Sequence, residues 1–155
     1  MNLEYLTRIG LSILLGILVG WEREGQNKTA GFRDISLVYL GATLLGILAL
    51  ELGNLPLILK SNIRYDIGRI FAYSVVSIGF LGSGVIIQYK DKLEGITTAV
   101  TLWVSLVSGL FCGLGNYYLA IVSAIAIYAV LKLKYIKIKI ENVKKKSVKK
   151  KRRKG

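Results

Sequence analysis

The side chains able to do chemistry crowd into one stretch, Gly20-Trp-Glu-Arg-Glu-Gly-Gln-Asn-Lys-Thr-Ala-Gly-Phe-Arg-Asp34, which sets Glu22, Arg23, Glu24, Lys28, Arg33 and Asp34 between two apolar runs. Two chemistries fit it. Glu22, Glu24 and Asp34 offer hard oxygens, and Mg2+ needs only one or two carboxylates because it keeps several waters. Glu22 and Glu24 would then be the metal ligands. Alternatively, Arg23 and Arg33 neutralise the acids, Gly25 and Gly31 let the chain reverse, and Asp34 or Ser36 caps the next helix. The stretch is then a rigid cap, and its three positive residues weigh against the metal.

Enzymatic chemistry is hard to build elsewhere. There is no histidine, the one cysteine, Cys112, lies in an apolar run, and no carboxylate sits deep within such a run. A nucleophile with its base, or a soft-metal site, therefore lacks its parts. Gly79-Phe-Leu-Gly-Ser-Gly84 imitates a phosphate loop or a serine elbow, but it is embedded in apolar sequence with no base for Ser83. Gly79, Gly82 and Gly84 instead read as helix-packing positions, as do Gly16 and Gly20, which extend a four-residue spacing from Ser12. No enzyme is expected, and no cofactor beyond the Mg2+ option.

The elements that hold these residues are set by the solvent. The chain has 155 residues, 53% of them hydrophobic, and a mean hydropathy of +0.51. A bilayer core of about 30 Å takes about 20 apolar residues to cross. Ile70–Tyr89 is an uncharged run of 20 residues, and Gly95–Leu131 one of 37, which must fold back at Gly113-Leu-Gly-Asn116. Ile35–Leu50 gives 16 and extends past Glu51; Ile9–Trp21 gives 13 and spans only with Leu3–Arg8 added. There Glu4 and Arg8 pair at i,i+4, with the arginine stem snorkelling outward. The expected fold is an all-α integral membrane protein, a bundle of five transmembrane helices: Leu3–Trp21, Ile35–Gly53, Ile67–Ile87, Ile96–Leu114 and Tyr117–Leu133. The first shows no cleavage pattern and is expected to remain.

The net charge of +13 is unevenly placed: residues 132–155 hold 13 of the 22 Lys and Arg against one acid, Glu141. Such clusters stay in the cytoplasm, which puts the C-terminus inside, the N-terminus outside, and the 21–34 and 88–95 loops inside. Residues 1–133 form the membrane domain and 134–155 a basic tail, expected to be disordered. Its cations Lys144, Lys145, Lys146, Lys149, Lys150, Lys151, Arg152, Arg153 and Lys154 suit an anionic inner leaflet at about 1 kcal/mol each. Lipid is the nearer partner, and no nucleic acid is expected. On the same side Thr97 and Thr98 open the fourth helix, so Glu22, Arg23, Glu24, Arg33, Asp34, Thr97 and Thr98 form a candidate rim for an ion, a second copy or another membrane protein. Gly31-Phe-Arg-Asp34 also aligns with Gly95-Ile-Thr-Thr98, as a parallel repeat of two hairpins would require.

Four ordered stretches resemble the MgtC/SapB family of bacterial and archaeal membrane proteins: Gly20-Trp-Glu-Arg-Glu-Gly25, Ala30-Gly-Phe-Arg33, Gly79-Phe-Leu-Gly-Ser-Gly-Val-Ile86 and Gly95-Ile-Thr-Thr-Ala-Val-Thr-Leu-Trp103. The resemblance covers residues 3–133 and marks a short form, without the soluble C-terminal domain many members carry. Asp34 departs from it, standing where the family usually has threonine. It implies a multi-pass protein of the cell membrane linked to growth at low magnesium and, in pathogens, to virulence. The function expected from it is modulation of a membrane partner in magnesium or stress adaptation; the alternative is a small transporter or channel for Mg2+ or another ion.

Overall fold

A computed structural model describes residues 3–26, 28–56, 65–89 and 92–133. Five helices carry the fold: α1 (Leu3–Glu24), α2 (Phe32–Gly53), α3 (Ile67–Gly84), α4 (Ile96–Gly113) and α5 (Tyr117–Leu133). By length and composition α1 to α4 can each cross a membrane, and α5 is shorter. The expected basic tail, with its nine cations from Lys144 to Lys154, lies outside the described residues.

Three boundaries differ from the sequence reading, each for a local reason. Helix α1 runs on to Glu24, taking the Trp-Glu-Arg-Glu stretch into its last turn. Helix α2 starts at Phe32 rather than Ile35, because the Asp34 carboxylate accepts the Gly31 amide at 3.0 Å and holds the first turn. Helix α3 stops at Gly84, and Ile87–Tyr89 (β1) pairs antiparallel with Lys92–Glu94 (β2) in a small hairpin the all-α reading did not contain. The hairpin delivers the chain to Gly95, whose φ of 89° and close approach to the Val85 carbonyl admit only glycine.

Contacts fix the directions. Gly16 and Gly20 of α1 lie on Ser36 and Phe32 of α2, so these helices are antiparallel. Gly109 lies on Tyr39, and Gly113 on Thr43 and Gly46, so α2 and α4 run parallel. A Cβ at Gly46 would stand 2.9 Å from the Gly113 Cα. Where lipid is as apolar as leucine, backbone approach of this kind is what dispersion can reward. The core left between α1, α2, α4 and α5 includes Leu15, Val19, Ile35, Tyr39, Leu102, Leu106, Ala120 and Ala124, all buried.

Helix α3 is the loosely held member, with only Ser74, Ile78 and Gly82 buried. Gly82 meets Ala99 at an ordinary 3.5 Å, whereas nothing lies within 4 Å of a Cβ at Gly79 or Gly84. The packing expected at those two glycines is therefore not made among the described residues: they are exposed. Between α2 and α3 runs an apolar groove of about 1050 Å3, floored by Leu102 and Leu106 of α4.

Candidate functional site

The buried face of α4 reads Thr98, Thr101, Ser105, Ser108 and Cys112, a three-four spacing that keeps small polar side chains in one line along the bundle axis. Each is 2% exposed or less. Facing them are Thr43 and Tyr39 of α2 and Ser123 of α5, and Ser12 of α1 is likewise buried. Thr43 Oγ1 donates to the Gly109 carbonyl at 2.9 Å, and the Ser108 and Ser123 hydroxyls share a bond of 2.6 Å. Thr101 and Ser12 turn back on their own helices, to Thr97 O at 2.6 Å and Ile9 O at 2.8 Å. The Tyr39 hydroxyl and the Ser105 Oγ are buried without a partner.

An arginine from α1 stands at each end of this seam. Arg8, 7% exposed, donates through Nη1 to the Gly113 carbonyl at 2.5 Å, at the end of α4 where the helix dipole favours a cation. Its Nη2 pairs with Glu4, and its guanidinium lies 5.6 Å from the Tyr5 ring centroid. The i,i+4 pair is the one expected, but the side chain turns into the bundle instead of snorkelling outward. Arg23, 3% exposed, donates through Nη2 to Thr98 Oγ1, in the first turn of α4.

The charged stretch is thus not the mutual ion lock that its composition suggests. Among the described residues the only salt bridge is Arg8–Glu4. Glu22 is turned to the Gln26 amide, Asp34 is spent on the α2 cap, and the Glu24 carboxylate folds over Gly31. Arg33 is exposed and makes no ion pair among the described residues. Glu22 and Glu24, two residues apart in one continuous helix, leave α1 on different faces. No group of three or more His, Cys, Asp or Glu comes together among the described residues. Of the rim, the structure brings Arg23 to Thr98; Thr97 next to it is exposed.

The sequence reading turned Arg8 outward and missed Tyr39, Thr43 and Ser108. A signal was present for α4, whose Thr and Ser positions recur at helical spacing on one face of an apolar run. None was present for Tyr39, whose burial depends on Gly109 opposite it.

The MgtC family model matches residues 9–138. Protein MgtC of Salmonella typhimurium is 36% identical over 124 residues, covering 79% of this chain and 49% of that protein. An uncharacterised protein of Haemophilus influenzae is 30% identical over 133 residues, covering 85% of this chain and 56% of its own length. Escherichia coli K12 YhiD, which carries the provisional name of a magnesium transporter, is 30% identical over 133 residues, with 86% and 61% covered. The chain therefore spans about half to three-fifths of the length of these relatives. No solved structure matches it. With the match running through all five helices, and with four of them long and apolar enough to span a bilayer, the chain is a membrane protein that belongs to the MgtC family.

Proposed function

We propose that this protein is a non-enzymatic, multi-pass protein of the plasma membrane that modulates another membrane protein during adaptation to low magnesium. In this reading all five helices span, the N-terminus is outside, and the end bearing Arg23, Asp34 and the β-hairpin faces the cytoplasm. The observation that carries it is the sign of the buried charge. The charged side chains buried among the described residues are arginines, Arg8 and Arg23, and the rest of the polar interior is serine and threonine. A dehydrating Mg2+ needs several oxygen ligands and gains most from carboxylates, and a guanidinium at each end of the seam repels it. The magnesium link enters through the family and through the name of one relative, YhiD, with Glu22 and Glu24 at the rim as the residues that would sense the ion.

Reconstitution tests this directly. Proteoliposomes loaded with a Mg2+-sensitive dye are expected to admit Mg2+ no faster than empty vesicles, while a mild-detergent pull-down from native membranes recovers a specific partner. Flux well above empty vesicles, abolished by Glu22→Gln or Glu24→Gln at unchanged protein levels, would establish the transporter instead.

A further inference from the structure

Side chains accept backbone amides at the N-termini of three helices, from the N-cap residue on α3 and α5 and from the first turn on α2, whose N-cap Gly31 has no side-chain bond of its own. Asp34 takes the Gly31 amide on α2, Asp66 Oδ1 takes the Arg69 amide at 3.3 Å on α3, and Asn116 Oδ1 takes the Leu119 amide at 3.2 Å on α5. Helix α4 has no such cap. Its N-cap residue is Gly95, no side chain caps it, and its first turn holds no acid. The amides of its first turn keep the partial positive charge that a helix N-terminus presents.

Arg23 lies against this same turn. It is 3% exposed, is bonded through Nη2 to Thr98 Oγ1, and its Nε is buried with no partner. A cation at a helix N-terminus has the unfavourable sign, and a buried guanidinium without a counter-charge is costly. The charge of Glu22 acts on it only from a distance: among the described residues no carboxylate oxygen lies within 4.0 Å of Arg23, Glu22 is bonded to Gln26, and Asp34 to Gly31. Ile96 is 49% exposed and Thr97 is exposed, so the turn is open to a ligand while Arg23 backs it from inside the bundle.

We propose that the first turn of α4 and Arg23 form a binding site for a phosphate group. A tetrahedral oxyanion presents enough acceptors for the free amides of the turn, the Thr97 hydroxyl and the guanidinium together. Trp21, 70% exposed in the last turn of α1, marks this end as the headgroup level. The phosphate is supplied by a phospholipid headgroup or by inorganic phosphate. The site rests on the membrane placement of the bundle and not on the partner-modulating function, so either can fail alone.

The test is thermal unfolding of the full chain in a phospholipid-free detergent, with inorganic phosphate in one arm and a short-chain phosphatidylglycerol in the other. Chloride at matched ionic strength is the control. Saturating ligand is expected to raise Tm by about 4 °C, and the arm that responds names the source. Arg23→Gln is expected to lose the shift, and Arg8→Gln, at the far end of α4, to keep it. Thr98→Asp supplies an anion from the chain itself: it is expected to raise Tm without ligand and to abolish the shift, and it decides the question should Arg23→Gln not fold. No shift in either arm, or a shift that survives Arg23→Gln or Thr98→Asp, would overturn the proposal.

Discussion

Arg23 and Thr98, 75 residues apart, are joined by a hydrogen bond from the guanidinium to the threonine hydroxyl. The bond ties the Trp-Glu-Arg-Glu stretch that ends α1 to the Thr-Thr pair that opens α4. At the opposite end Arg8 reaches Gly113. The two contacts lie fifteen residues apart along each helix, from Arg8 to Arg23 and from Thr98 to Gly113, so the two arginines pin antiparallel α1 and α4 in a single register.

Removing the Arg8 guanidinium should be costly. Arg8→Met leaves the buried Gly113 carbonyl without its side-chain donor and should lower stability by about 2–4 kcal/mol. Glu4 is 59% exposed, so Glu4→Gln should cost less than about 1 kcal/mol. Unfolding of both variants in mixed detergent micelles measures the difference, and equal losses would show that the ion pair, not the carbonyl contact, holds the helix end.

Glycines should separate by contact rather than by motif. A Cβ at Gly113 would overlap the Thr43 carbonyl and stand 2.8 Å from the Gly46 Cα. Gly113→Ala is therefore expected to push α2 from α4 at a cost of about 2–3 kcal/mol. Gly79→Ala enters open space and should be neutral or stabilising by up to about 1 kcal/mol. Melting temperatures of the two variants give the ranking.

Gly95 combines a positive φ with a blocked Cβ position. Gly95→Ala forces a left-handed alanine against Val85 O and should cost about 2 kcal/mol or more. Gly25→Ala, whose Cβ would meet only ordinary contacts from 3.6 Å outward, is the matched control. Protease sensitivity between residues 86 and 96 should rise in the first variant alone.

Asp34 is placed here as a helix cap. Asp34→Ala should cost about 1 kcal/mol, and Asp34→Asn, which keeps an acceptor but loses the charge at the helix N-terminus, about 0.5 kcal/mol. Thermal unfolding reads both, and neither change is expected to alter Mg2+ binding measured by isothermal titration. A loss of Mg2+ binding in Asp34→Asn would make this carboxylate a ligand instead.

The sequence by itself determined what depends on solvent and on local chain geometry. Long apolar stretches dictated the five helices, four of them long enough to cross a bilayer, because an unpaired backbone in hydrocarbon is too costly. Gly113-Leu-Gly-Asn116 marked the turn between α4 and α5, and the four-residue spacing of Ser12, Gly16 and Gly20 marked a close-packing face. Tertiary structure alone decided which members of each class are used. Gly20 meets Phe32 while Gly79 meets nothing among the described residues, although both stand in glycine-rich motifs, because Gly20 lies on the face of α1 pressed against α2 and Gly79 on the exposed face of α3. Likewise Arg23 and Arg33 are equivalent by composition, yet one is buried on Thr98 and the other is exposed. The burial of Arg23 is set by the rotation of α1 about its axis, which is fixed only when Gly16 and Gly20 find Ser36 and Phe32 of α2.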